Sequence, residues 1–468
     1  MKNIVSALKQ KIFGAAPSDK SNHLPKQIKI PCDFHIDDAF STSKENSSSL
    51  TVKTGDEFHA LTPTHWKLAM VGLSKDGKKL IKIGIDMHPL RRITMHDEIK
   101  VIQHLNDQNC ISCPKMHDHG MLTKEDLLQA LEGDAKQLVA EKEANEFPYL
   151  ILDYLPSAKE IPFGDAVLSL IEQKSLGVYC GDFKPRNLRY DADKSICYIV
   201  DYDQALMLDD KTSQMPMNDF MQWADAEERK QFDKDNFLRQ FTTFKARKTF
   251  SKMFKEGSFN LLHTSLLQKQ KTTRTSDGVY HTINHPLVYS EGVRSLDERV
   301  ELLSKLTWQK NERVLDIGCN AGLLSFHLAD LGCSVTGVDM DPDIITLNGF
   351  IANIMGKTAQ FDFLDLDNRD IPNTFDTIIL FSVLHHTQNV EANAKKVANN
   401  CNRIIMECRL TERGLKPVGE EWIETSRWSF DNVEGLKSYF EEIFPRFIAN
   451  SDVGLGDRNR YMIELIKK

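Results

Sequence analysis

The run Arg313-Val-Leu-Asp-Ile-Gly-Cys-Asn-Ala-Gly322 leaves this chain few ways to fold around it. Its first half is apolar and reads as a buried strand. Gly318 and Gly322 then mark a turn, and Leu323 to Leu331 continues as a helix. A second apolar strand, Ser334-Val-Thr-Gly-Val, ends at Asp339. Strand, glycine turn, helix and strand make a βαβ unit, which predicts an α/β domain built on a parallel sheet. The two glycines let backbone approach a ligand, and an acid 21 residues after Gly318 is placed for ribose hydroxyls.

A dinucleotide site uses much of the same geometry, so the glycines leave the cofactor open. Asp316, two residues before Gly318, separates the alternatives. Beside a pyrophosphate this carboxylate would repel the ligand, whereas beside S-adenosylmethionine it can face the ammonium of the methionine moiety. Residues 280–468 resemble class I methyltransferases, a Rossmann-like α/β fold. The resemblance implies that Asp316, Gly318 and Gly322 form the first cofactor motif, with Asn320 in place of its middle glycine. It gives Asp339 to the ribose and Asp365, after Phe361-Asp-Phe-Leu, to the adenine. Thr374 to His386 resembles the fourth strand and the motif that follows it.

The N-terminal half carries a different chemistry. Asp182 and Asn187 stand five apart in Asp-Phe-Lys-Pro-Arg-Asn, and Asp201 follows after a turn and an apolar strand. A carboxylate can take the proton of an attacking hydroxyl, while an amide oxygen and a second carboxylate hold Mg²⁺ on ATP. Upstream, Asp76-Gly77 predicts a hairpin. Lys82 in Leu-Ile-Lys-Ile is placed for the α- and β-phosphates, and Glu98 on the helix from Met95 to Leu105 is its expected ion-pair partner. Tyr149 to Leu155 reads as the strand entering an adenine hinge.

Residues 55–250 resemble the protein-kinase-like superfamily, nearer its small-molecule and lipopolysaccharide kinases. That likeness implies an α+β, two-lobed domain using ATP and Mg²⁺, with Lys184 touching the transferred phosphate. The departures are Cys180-Gly181 where a His is usual, no Gly-x-Gly in Thr62 to Trp66, and no Ala-Pro-Glu after Asp203. A charged helical run, Asp225 to Lys248, follows instead.

At 468 residues two to three domains are expected. The organisation is an N-terminal amphipathic helix and linker (1–54), the kinase-like domain (55–250), a Lys-, Ser-, Thr- and Gln-rich linker (251–278) and the methyltransferase-like domain (279–468). A net charge of −8 argues against nucleic acid. No apolar run is long enough to span a bilayer, Lys9 and Lys11 interrupt any secretory signal, and nine scattered cysteines suit a reducing cytoplasm. Cys110-Ile-Ser-Cys113 with His117 and His119 could be half a zinc site, but it reads better as a turn. Ile4, Val5, Leu8 and Ile12 form an apolar stripe beside lysines; residues 1–14 could lie on the inner membrane surface, pack on their own domain, or fray.

The stretch from Val279 through Arg299 into the glycine turn is similar to bifunctional kinase–methyltransferases that terminate O-antigen chains, here with the domain order reversed. The resemblance implies phosphorylation of a sugar on a surface-glycan or lipid-linked intermediate, then methylation of that phosphate, in lipopolysaccharide biosynthesis. Arg294 and Arg299 are candidates to hold the phosphate. His385 or His386 could instead be a base for a hydroxyl acceptor. Two rivals stay open: a kinase-like module that only docks or regulates, and both activities on a soluble small molecule.

Overall fold

The computed structural model describes residues 29–31, 49–52, 55–63, 69–86, 94–156, 158, 160–181, 183, 187–215, 219–220, 223, 279–285, 289–290, 292–294, 296–410, 429–430, 432–456 and 460–468. The expected helix at 1–14, Asp182, Lys184, most of the 62–66 loop, the 225–248 run and the 251–278 linker lie outside the described residues. The chain divides into two compact units, Met1–Ser265 and Leu266–Lys468.

In the first unit, β1 (Lys29–Pro31) precedes β2 (Ser49–Thr51), β3 (Glu57–Pro63), β4 (Ala69–Ser74) and β5 (Lys79–Gly84). Asp76-Gly77 turns β4 into β5, with Gly77 at φ +70° and the Asp76 carboxylate accepting from Ser74 Oγ and the Lys78 N–H. Helix α1 (Met95–Asp107) starts on a capping box, Thr94 with Asp97. β6 (Met116–Thr123), α2 (Lys124–Ala130), α3 (Gly133–Ala140) and β7 (Glu146–Asp153) complete an antiparallel sheet of order β2-β3-β4-β5-β7-β6.

Alternation gives this sheet two different faces. Ile81, Ile83, Phe147, Tyr149 and Ile151 pack with Phe58, Leu61 and Met70 and with Leu127, Leu131, Ala135 and Val139 of the α2–α3 region. Lys82 and its register partner Leu150 belong to the opposite face. Full burial of each large aliphatic is worth about 1.5–3 kcal/mol, and a one-residue slip would drive Lys82 into that core. The register is therefore strongly held.

β8 (Glu160–Pro162), paired with β1, leads into α4 (Phe163–Ser175). β9 (Val178–Tyr179), the hairpin β10 (Leu188–Asp191) and β11 (Ile196–Ile199), and β12 (Leu206–Met207) follow, with β12 pairing back to β9. Residues 111–113 form a turn against α4, where Glu172 accepts from the N–H groups of Ile111 and Ser112 and from Ser112 Oγ. Burial raises the Cys110 thiol and pushes that of Cys113 up to about 12. His117 pairs with Asp153 at 2.6 Å.

The second unit opens with short strands β13 (Val279–His281), β14 (Ile283–Asn284), β15 (Tyr289–Ser290) and β16 (Gly292–Arg294), then α5 (Asp297–Leu303). β17 (Arg313–Ile317), α6 (Leu323–Asp330), β18 (Ser334–Asp339), α7 (Pro342–Met355) and β19 (Gln360–Phe363) form one half of a sheet. β20 (Thr377–Phe381), α8 (Val390–Asn399), β21 (Arg403–Leu410), β22 (Ser429–Phe430), α9 (Val433–Ile443), β23 (Phe447–Gly456) and β24 (Arg460–Lys467) form the other. The order is β19-β18-β17-β20-β21-β24-β23, with β22 beside β21; all pairs through β21 are parallel, and β24 is antiparallel to both neighbours. Leu315, Ile378, Leu380, Ile404, Phe440, Phe444 and Ile463 lie in one core. The chain moves outward from β17 to β19 and returns to β20, so the crevice at the carboxyl ends of β17 and β20 is the topological switch point where such sheets bind ligands.

Candidate functional site

Each unit assembles a polar centre. In the first, Lys82 Nζ lies 2.7 Å from Glu98 Oε1 and 2.9 Å from Asp201 Oδ1. Glu98 is 2% exposed, and its carboxylate also accepts from the Tyr202 N–H. Tyr202 is anchored in turn: its hydroxyl donates to the Ile199 carbonyl and accepts from Gln173 Nε2 at 2.7 Å. Asp201 takes φ +69°, bending the chain out of β11. The Asn187 carbonyl accepts from Val200 N–H, so the segments bearing Asn187 and Asp201 are tied side by side. The helix that follows β5 and the distant segment after β11 thus each bring a carboxylate to one ammonium.

The departure at Cys180-Gly181 has a steric reason. Gly181 adopts φ +74°, and a Cβ there would stand 1.9 Å from the Gln204 carbonyl oxygen. On the Lys82 face, Leu73, Leu80 and Leu152 fall in one cross-strand row and stay half-buried, an apolar surface beside the charged one.

In the second unit, Asp316 lies at the end of β17, 2% exposed, accepting from Ser325 Oγ at 2.7 Å. Burial raises its carboxyl to about 6. The next residues form the turn: Gly318 and Gly322 take φ +74° and +69°, and Asn320, the residue standing for a middle glycine, takes φ +49°. A Cβ on Gly318 would meet Val383 at 2.5 Å, and one on Gly322 would meet the Phe361 ring at 2.6 Å. Asp339 ends β18 with one oxygen accepting from Asn320 N–H and the other from Asp341 N–H. The Met340 N–H also bonds this carboxylate, and with about four lone-pair sites it keeps capacity for one further donor such as a hydroxyl. Asp365 caps its own turn, accepting from Asn368 Nδ2 and Asp367 N–H, and is held below the usual carboxylate range first by the Asn368 bond.

The remaining candidates surround this crevice differently from one another. Arg299 forks onto Glu407, with Nε at 2.6 Å and NH2 at 2.9 Å, so the expected phosphate ligand is engaged by a buried carboxylate. Its NH1 stands 3.4 Å from His281 Nε2, and its guanidinium lies over the Phe381 ring. Arg294 is on β16, whose backbone pairs with β13. His385 follows β20 in a short 3₁₀ turn with its ring 4.0 Å from that of His386; burial, then His386 and Arg460, lower it to about 4. Sequence reasoning passed over Glu407, Arg460 and Ser325. Glu407 carried a readable signal, a lone carboxylate in the apolar run Ile-Ile-Met-Glu-Cys. Arg460, which donates to Glu407 at 3.3 Å, carried none.

Residues 315–405 match the family model described as a methyltransferase domain. The mitochondrial ubiquinone biosynthesis O-methyltransferase of Schizosaccharomyces pombe is 25% identical over 167 residues, covering 31% of this chain and 60% of that protein. The ubiquinone biosynthesis O-methyltransferase of Xanthomonas euvesicatoria is 28% identical over 129 residues, 27% of this chain and 48% of its own length. The chain therefore spans less than two thirds of either relative. Among solved structures, magnesium protoporphyrin IX methyltransferase from Synechocystis with bound S-adenosylhomocysteine superposes at a TM-score of 0.30 with 19% identity, over 37% of this chain and 82% of that one. Sheet order, glycine turn and family match agree that residues 315–405 are a methyltransferase domain of the class I, Rossmann-like fold.

Proposed function

We propose that the chain is a bifunctional enzyme: an ATP- and Mg²⁺-dependent kinase of a sugar hydroxyl on a surface-glycan intermediate, joined to an S-adenosylmethionine-dependent methyltransferase acting on the resulting phosphate. The observation that carries the kinase half is the Lys82 ammonium held between Glu98 and Asp201. The segment after β11 has no local reason to meet strand β5 and helix α1 there, and the same arrangement positions nucleotide phosphates in kinases. The donor set fits the metal, since Asp201 and Asn187 offer the hard oxygens that Mg²⁺ prefers. Asp182 is the residue that would take the hydroxyl proton, and Lys184 would touch the transferred phosphate.

For the methyltransferase half, the buried Asp316 carboxylate suits the cofactor's ammonium and Asp339 suits a hydroxyl of its ribose. The bound cofactor supplies an electrophilic methyl. A phosphate monoester is already anionic near neutral pH, so the chain needs only to position it and hold its charge, the role that falls to Arg294, since the Arg299 fork is engaged by Glu407. Residues 1–14 would bring the enzyme to the cytoplasmic face of the inner membrane. Among the described residues no helix is long and apolar enough to cross a membrane.

A second reading has its own support. The curated relatives are O-methyltransferases, and His385, just after β20, is neutral at pH 7, although an imidazole lowered to about 4 is a weak base for a hydroxyl. One experiment separates the two. Asp182→Ala should lower phosphorylation by roughly 10²–10⁴ and abolish methylation of unmodified glycan, while still methylating glycan phosphorylated beforehand. Asp339→Ala should leave phosphorylated, unmethylated ends. Labelled methyl on unphosphorylated glycan with Asp182→Ala, lost again when His385 is replaced, would establish the hydroxyl reading.

A further inference from the structure

The turn from Cys319 to Gly322 lacks its middle glycine yet keeps a left-handed residue there, because Asn320 sits at φ +49°. Most non-glycine residues resist that conformation; Asn resists it less, and the Asn320 carboxamide oxygen accepts from the Ala321 N–H at 2.7 Å, but a cost remains that the surroundings can offset. Here the surroundings do so at both ends of the residue. Its N–H donates to Asp339 Oδ2 at 3.1 Å, and its carbonyl accepts from Asn348 Nδ2 at 2.6 Å. The same Nδ2 lies 3.5 Å from Cys319 Sγ.

Asn348 is out of place by composition. It lies on α7 between Leu347 and Phe350, with no exposed surface. Among the described residues its Oδ1 has no hydrogen-bond partner. A leucine would fill such a position without burying an amide, and an unsatisfied acceptor is a standing penalty. The residue gains one thing for it, a donor under the Asn320 carbonyl. Gly322 confirms how closely the turn rests on this side chain: a Cβ there would lie 3.4 Å from Asn348 Cγ.

We propose that Asn348 is a positioning residue for the cofactor turn, a latch that holds Asn320 in the backbone shape a glycine would adopt unaided. This rests on reading the turn as the S-adenosylmethionine site. Its signature is dependence on the residue at 320: the latch matters with Asn there and becomes dispensable with Gly.

The experiment uses the full chain with Asn348→Leu, Asn320→Gly and the double variant, titrated with S-adenosylhomocysteine by calorimetry. Alkylation of Cys319 by iodoacetamide, quantified on its peptide, reports the turn without any ligand. Asn348→Leu should weaken S-adenosylhomocysteine by roughly 10–100-fold, raise KM for S-adenosylmethionine more than it lowers kcat, and speed Cys319 alkylation. In the Asn320→Gly background the same change should cost less than about threefold in affinity. Equal losses in both backgrounds, or a lowered Tm with affinity and alkylation unchanged, would overturn the latch. If Asn348→Leu fails to fold, folding of the double variant supports the latch, and failure of both overturns it. Should wild-type protein bind no S-adenosylhomocysteine, the cofactor reading falls, and Cys319 alkylation across the four proteins still decides the latch.

Discussion

Replacing Glu407 with alanine should be among the most damaging single changes in the second unit. The carboxylate is 3% exposed and receives Arg299 at 2.6 and 2.9 Å and Arg460 at 3.3 Å. Both guanidiniums are themselves largely buried, with side chains 14% and 19% exposed. Removing the shared carboxylate strips two sequestered cations of this countercharge, and breaking a buried pair from one side costs about 3–5 kcal/mol. A unit of this size loses about 2–4 °C in Tm per kcal/mol, so its transition should fall by roughly 6–20 °C. Arg460→Met is the comparison: Glu407 keeps the bidentate Arg299 fork, and the loss should be less than about half as large. Scanning calorimetry on the full chain reads both, and the relevant transition is the one that S-adenosylhomocysteine raises, by about 2.7 kcal/mol at 100 times its Kd. A drop under about 3 °C for Glu407→Ala, or an equal drop for Arg460→Met, would refute the shared-countercharge argument.

Two further outcomes are expected. Asp316 has its carboxyl raised to about 6 from 3.8, so the stability it contributes is present below its unfolded value and lost as pH rises through about 6; the cofactor's ammonium needs the ionised form, so S-adenosylhomocysteine should bind about tenfold weaker at pH 5 than at pH 7, with Asp316→Asn flat across that range by calorimetry and a flat wild type contradicting the pairing. Gly181→Ala should lower the first unit's transition well beyond Gly177→Ala, since the new Cβ meets the Gln204 carbonyl at 1.9 Å in one case and only the Leu208 carbonyl at 3.8 Å in the other; equal shifts would show that positive φ alone, about 1–2 kcal/mol, sets the cost.

What the sequence determined by itself is local. The Asp76-Gly77 hairpin, the glycine turn after β17, and the spacings from Asp316 to Asp339 and from Asn187 to Asp201 are patterns within a few consecutive elements. They depend on turn chemistry and on the alternation of apolar residues, which any stretch of chain carries with it. Even Lys82 with Glu98 was legible, because a strand and the next helix are close in sequence. Tertiary structure decided the rest. Arg299 was open to a ligand in the sequence, and only the return of the chain through β21 brings Glu407 to it across 108 positions. Arg460 reaches the same carboxylate because β24 runs antiparallel beside β21, and no local pattern announces that pairing. Asn348 stands among apolar helix residues, and only the packing of α7 beneath the turn gives it the Asn320 carbonyl as partner. A polar side chain in an apolar segment declares that it has a partner. Which partner is set by the topology of the sheet, since desolvation forces the pairing but long-range packing chooses the atoms.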